Sequence, residues 1–408
     1  MRVVLVLFLN LTAMAQIKLP APTGPYPIGR QMLLWRDSTR LEDVGPQSGK
    51  PREVATYIFY PAVASGDHTV YYPGLAGLET APETRPLRLQ FGAAWNAVTT
   101  GTIQTNTYAA PPMPSGSARF PVLIFSPGGV APVLGYQLQL EELASRGYVI
   151  FALEHGTDSA LIIRPDGTLL PYFSRHAPGN GLPTTANLET EREQVIRRTA
   201  DVIFALDQIN AVGGRADSIF HHRLDLARIG VFGHSEGGKT ALRACQLDSR
   251  IRACLNQDGE MFNQPLNPPE SVPTVLPGKS TIAPTADIFV NEPGPTDAQL
   301  AAVNVTRKQF ENWRGAKNGA LRTFLRQNTQ DSFLITITAP GYVHGSFMDM
   351  HLLSVSPTPE SVTNLKTGID LTSGFFNHYL HWGDQAGWDR FTGAPIDGIR
   401  VERLDSKR

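Results

Sequence analysis

Short, continuously apolar runs alternate along this chain with longer stretches in which apolar residues return every three or four positions. Pro121-Val122-Leu123-Ile124-Phe125 is apolar throughout, as expected of a strand covered on both faces of a sheet. Tyr148–Leu153, Ile229–Phe232 and Ile251–Leu255 repeat that pattern, and Ala286–Val290 and Phe333–Thr338 read as two later strands. Between them lie helical patterns: Tyr136–Ser145 carries Leu138, Leu140, Leu143 and Ala144, and Leu188–Ile209 carries Val195, Val202, Ile203, Ala205 and Leu206. A further helix follows the Ile229–Phe232 strand as far as about Cys245, and another is expected over Thr306–Leu325. This alternation predicts a mainly parallel central sheet flanked by helices. Gln31–Arg36 and Glu53–Tyr60 read as a leading antiparallel pair. Val63–Arg119 and Asn263–Pro284, rich in Gly, Pro, Thr and Ala, read as irregular structure or insertions.

Composition changes this picture at three points. The 408 residues, 41% hydrophobic and 18% charged, suffice for a large core; residues 16–408 are expected to form one α/β domain with insertions. A formal net charge of −1 without a long basic run argues against nucleic acid as a partner. At the N-terminus, Arg2, the apolar run Val3–Leu9 and Ala13-Met14-Ala15 together describe a secretory signal peptide over residues 1–15. The mature chain would begin near Gln16 in a secreted or periplasmic setting, where a Cys245–Cys254 disulfide is permitted as readily as two buried thiols. Neither cysteine has the spaced companions of a zinc site.

The chemistry centres on Gly233-His234-Ser235-Glu236-Gly237, a G-x-S-x-G pattern set between an apolar strand and a helix. A nucleophilic serine at a sharp strand-to-helix turn needs glycine on either side to let the turn close. Such a serine also needs a base and a group that orients the base, met in the order serine, acid, histidine. His344, in the loop after the Phe333–Thr338 run, is placed to be that base. His351, His378 and His381 read as packed or exposed residues, and His234 as a packing residue that points away through the turn. Two acids compete on spacing: Asp258 after the Ile251–Leu255 strand and Glu292 after the next. The oxyanion would be held by the amide of Glu236 and by one from Ser126-Pro127-Gly128-Gly129-Val130. Pro127 has no N–H, so Gly129 is the better donor.

Several stretches resemble the secreted platelet-activating factor acetylhydrolase family, a lipase-like group of α/β-hydrolases. They are Gly24–Gly29, Arg52-Glu53 through Ala62, Phe120–Ser126, Leu143–Val149, Glu154-His155 with Asp158-Ser159-Ala160, Gly233–Gly238, and His344 with Phe347 and Asp349. The resemblance implies the α/β-hydrolase fold, Ser235 as nucleophile, Asp258 rather than Glu292 as acid, His344 as base, and no cofactor or metal. Glu154 and His155 are then structural neighbours of the site. The implied partner is a small-molecule or lipid ester, with transient contact to a membrane or lipoprotein surface left open. The chain departs from the family's usual His at Pro127, bulky apolar residue at Gly129, Phe at Glu236 and aromatic residue at Glu260, which implies a smaller, more acidic pocket mouth. A short-chain carboxylic ester hydrolase is the expected activity. Polyester, lipid or amide hydrolysis with the same triad, and an inactive binding protein on the same scaffold, are the alternatives.

Overall fold

The structure is a computed structural model that describes residues 17–174, 185–259, 283–291, 294–302, 304–353, 357–381 and 386–404. The signal segment expected at residues 1–15, the competing acid Glu292, Glu260 and all but the last two residues of the Asn263–Pro284 stretch lie outside these ranges.

The described chain opens with β1 (Ile17–Lys18), β2 (Ile28–Leu41), β3 (Pro51–Pro61) and β4 (His68–Val70), then two short helices, α1 (Arg85–Phe91) and α2 (Trp95–Thr99), and β5 (Ile103–Ala109). The alternating part runs β6 (Phe120–Ser126), α3 (Gln137–Ser145), β7 (Val149–Glu154), the hairpin β8 (Leu161–Ile163) and β9 (Leu169–Pro171), and α4 (Thr185–Gly214). It continues β10 (Leu224–His234), α5 (Glu236–Leu247), β11 (Ile251–Gln257), β12 (Thr285–Val290), α6 (Asp297–Ala301), α7 (Arg307–Arg326) and β13 (Ser332–Ile337). The described chain closes with α8 (Pro359–Leu380), α9 (Ala386–Thr392) and β14 (Ile399–Arg403).

One sheet carries the order β1-β5-β2-β3-β7-β6-β10-β11-β12-β13-β14, with β4 against β5. From β7 to β13 every neighbouring pair is parallel; β3 on one side and β14 on the other run antiparallel to that block. Successive side chains of a strand serve opposite faces. Thus Leu123 and Phe125 of β6 join Leu140 and Leu143 of α3 and Phe375 and Phe376 of α8 on one side. Val122 and Ile124 join Val202 and Ile209 of α4, Leu242 of α5 and Phe324 of α7 on the other. Helices on both faces explain why β6 and β7 are buried along their whole length and read as unbroken apolar runs.

The expected pair Gln31–Arg36 and Glu53–Tyr60 is antiparallel as read, though each strand runs further. The expectation of irregular structure over Val63–Arg119 needs correction, because β5 lies inside that segment and joins the main sheet beside β2. Its inward positions are Ile103, Thr105 and Thr107, and the two buried threonine hydroxyls are satisfied by Thr69. A strand whose inner face is threonine has loop-like composition but β-branched side chains suited to the pleat. Cys245 of α5 and Cys254 of β11 form a disulfide with their Cα atoms 6.5 Å apart. No helix among the described residues is long and apolar enough to cross a membrane.

Candidate active site

Ser235 sits between the end of β10 and the start of α5 with φ 55° and ψ −121°, a conformation that costs an L residue about 1–3 kcal/mol. Close approach on all sides holds it there. A Cβ on Gly237 would stand 2.0 Å from the Ser126 carbonyl oxygen, and one on Gly233 would stand 2.3 Å from that of Gly237. The glycines therefore serve as spacers between this turn and the end of β6. The Ser235 amide donates to the Gln257 carbonyl at 2.8 Å, tying the turn to the last residue of β11.

Asp258 follows directly and also has positive φ, at 56°. Its amide donates to Ile288 O at 2.7 Å, and its Oδ1 accepts the Val290 amide at 2.9 Å. Oδ2 lies 2.6 Å from His344 Nδ1. Asn256, fully buried, secures this turn: its side chain accepts from the Gly259 amide at 2.8 Å and donates to Gly259 O at 2.8 Å and Asp287 Oδ2 at 2.7 Å. With both carboxylate oxygens of Asp258 acting as acceptors, Nδ1 of His344 bears the proton. The imidazole is part-exposed while Asp258 is nearly covered.

His234 is buried, as expected, but it does more than fill space. The Gly128 amide donates to Tyr136 Oη at 3.0 Å, and Tyr136 in turn bonds His234 Nδ1 at 2.8 Å. His234 Nε2 lies 2.9 Å from the His344 carbonyl oxygen, which can only accept, so Nε2 carries the proton. Burial, with His344 nearby, depresses the His234 pKa well below the ordinary histidine value and keeps the ring neutral. The residue before Ser235 thereby links the β6–α3 loop to the loop that carries His344.

That β6–α3 loop faces the turn: a Cβ on Gly128 would lie 3.4 Å from Ser235 Cβ, and one on Gly129 would lie 3.5 Å from Glu236 Oε2. The Gly128 carbonyl accepts the Ala131 amide at 3.2 Å, whereas the Gly129 and Glu236 amides have no acceptor among the described residues. Burial pushes the Glu236 carboxyl up to about 7 against the pull of Arg198. Beneath the loop, Ser126 Oγ bonds His155 Nε2 at 2.9 Å and His155 Nδ1 bonds Asp201 Oδ2 at 3.0 Å, all three buried. Burial lowers the His155 pKa to about 4. For Asp201 burial acts in the opposite direction, but Arg52 and His155 overcome it and hold the carboxyl well below its usual range. Glu154, also buried, accepts the Val133 amide at 2.7 Å.

The structure thus brings Ser235, Asp258, His344, Gly129 and Glu236 to one edge of the sheet, at the C-terminal ends of β6, β10, β11 and β13, where ligands of such sheets bind. Sequence reasoning missed Tyr136, Asn256, Asp201 and Arg198. Arg198 carried a signal that was available: it shares a helical stripe with Val195 and Val202, where a charge is out of place. Among the described residues no group of three or more His, Cys, Asp or Glu is arranged to hold a metal ion.

A serine on a strained strand-to-helix turn, above a parallel sheet with helices on both faces, defines the α/β-hydrolase fold. A ferulic acid esterase from Streptomyces cinnamoneus shares it, with a TM-score of 0.65 over 95% of this chain and 99% of that one at 20% identity, a likeness of fold. Residues 11–363 match the family described as platelet-activating factor acetylhydrolase, isoform II, and the chain belongs to that family. A protein of Arthroderma benhamiae described as a probable 1-alkyl-2-acetylglycerophosphocholine esterase is 26% identical over 61% of this chain and 60% of its own length. The platelet-activating factor acetylhydrolase of Cavia porcellus is 29% identical over 37% of each chain. The matches therefore span less than two-thirds of either relative.

Proposed function

We propose that this protein is a secreted, single-domain serine carboxylic ester hydrolase that acts on short-chain acyl esters through an acyl-enzyme. The observation that carries the reading is the 2.6 Å bond from His344 Nδ1 to Asp258 Oδ2, on a loop bonded to His234, the residue that precedes Ser235. In this reading His344 Nε2 takes the proton of Ser235 Oγ as that oxygen attacks the ester carbonyl. The Gly129 and Glu236 amides receive the developing negative charge. The imidazolium, steadied by Asp258, then protonates the departing alcohol, and water releases the acyl group with His344 again as base.

The acetyl groups named for the relatives support a short acyl group. The disulfide and the N-terminal Arg2–Ala15 pattern support export. The test is hydrolysis of p-nitrophenyl acetate, butyrate and octanoate by the wild type, Ser235→Ala, Asp258→Asn and Glu292→Gln. Activity that falls along the chain-length series, vanishes in Ser235→Ala and Asp258→Asn and survives in Glu292→Gln is expected. A damaging Glu292→Gln would move the acid to the later strand. Preference for octanoate would overturn the short-chain assignment. An N-terminus near Gln16 in protein recovered from the medium or periplasm checks export.

A further inference from the structure

Arg198 of α4 is fully buried, and its guanidinium meets the β6–α3 loop, the segment after β7 and the residue that follows Ser235. Its two terminal nitrogens donate to the carbonyls of Pro127 at 3.0 Å, Gly129 at 2.5 Å and Asp158 at 2.7 Å, and its Nε lies 3.1 Å from Glu236 Oε1. In a trans peptide the carbonyl and the following N–H point in opposite directions. Holding Pro127 O therefore turns the Gly128 N–H the other way, where it meets Tyr136. The next peptide plane has its Gly128 carbonyl on the Ala131 amide, which turns the Gly129 N–H outward. The plane after that is held again by Arg198 through Gly129 O. The plane carrying the Gly129 amide is thus clamped between two planes that one side chain fixes, and the same side chain pairs with the residue that supplies the other amide.

We propose that Arg198 is the positioning residue of the oxyanion site, setting the direction of the Gly129 amide and the distance between it and the Glu236 amide. The proposal rests on the esterase reading. It does not require Arg198 to touch substrate. A planar fork that reaches three carbonyls and a carboxylate together is a task for arginine; lysine has one ammonium and no plane. Because the donors act on charge that appears only in the tetrahedral state, displacing them lowers kcat and spares ground-state binding.

The test uses Arg198→Lys, Arg198→Met and Glu236→Gln, with active sites counted by a fluorophosphonate probe and rates given per labelled site. Arg198→Lys is expected to lose about 10²-fold in kcat on p-nitrophenyl acetate with KM within about three-fold, and Arg198→Met at least as much. Glu236→Gln, which keeps an oxygen for Arg198 and loses the charge, is expected to fall less. A trifluoromethyl ketone, which forms a tetrahedral adduct, should weaken in step with kcat/KM across the series, and the matching methyl ketone should not. Wild-type kcat per labelled site in Arg198→Lys and Glu236→Gln overturns the proposal, even if fewer sites label or Tm drops, since a purely structural arginine would behave that way. Parallel weakening of both ketones overturns it as well. Failure of the esterase reading is separate: Ser235→Ala would then keep its turnover.

Discussion

Replacing Asp258 by Asn should disable the site through hydrogen-bond parity rather than through shape. The carboxylate accepts on both sides, from the Val290 amide on Oδ1 and from His344 Nδ1 on Oδ2. An amide of the same size has one acceptor and one donor end. With its oxygen toward Val290, its NH₂ faces His344 and draws out the tautomer protonated at Nε2, which cannot take a proton from Ser235. The opposite orientation sets the NH₂ against the Val290 N–H in a nearly covered site, a mismatch costing about 1–3 kcal/mol. The active orientation is then disfavoured by roughly 5- to 150-fold. Loss of the negative charge beside the imidazolium multiplies that factor, and the two together amount to about 10³–10⁴ in kcat. KM should change by less than about five-fold, because neither effect concerns substrate binding. Steady-state rates on p-nitrophenyl acetate, with burst amplitudes to count acylating sites, measure this. Activity within ten-fold of wild type in Asp258→Asn would refute the parity argument, because it would mean that His344 keeps its tautomer without a double acceptor.

Three further predictions concern stability. Ser235→Gly relieves the positive φ, worth about 1–3 kcal/mol, against a glycine entropy cost of about 0.5–1 kcal/mol. It should therefore unfold in urea about 1 kcal/mol later than Ser235→Ala, both being inactive. Cys245→Ser/Cys254→Ser removes a short covalent loop between α5 and β11 and should cost about 2–3 kcal/mol, with wild type losing the same on reduction. The third is a pH dependence. Burial raises the Glu154 carboxyl from 4.5 to about 7. The folded state therefore holds a proton that the unfolded chain has already released between those values, and stability falls as pH rises through that window, by about 3 kcal/mol from this group. Glu154→Gln should remove that fall, so the difference between wild-type and variant urea midpoints should grow in the variant's favour from pH 5 to pH 8. A constant difference would show that the carboxyl titrates normally.

Much of this molecule was legible along the chain because its signals are local. Apolar runs such as Val122–Phe125 and Tyr148–Leu153 are strands whichever partners they find, and glycines around Ser235 report a tight turn wherever it sits. The place of Ser235 at the end of β10 followed from its G-x-S-x-G pattern between a strand and a helix, and that of His344 after β13 from the alternation. The choice of Asp258 did not: spacing set it only slightly ahead of Glu292, and a family resemblance brought it forward. β5 was missed because threonines at its inner positions look like loop until Thr69 is seen across from them.

What only the tertiary structure decided is the direction of polar groups. Whether the Gly129 amide is free depends on Arg198, Tyr136 and Ala131, and Arg198 lies 69 residues further along the chain. His234 could be read as filler because burial is visible in sequence, whereas the Tyr136 hydroxyl and the His344 carbonyl that occupy its two nitrogens are not. The same holds for Cys245 and Cys254, whose pairing required α5 to lie on β11. Hydrophobic burial is non-directional and summed over many residues, so it leaves a period in the sequence. A hydrogen bond joins two atoms at one distance and angle, and in this site its two ends come from elements that meet only after the sheet has formed.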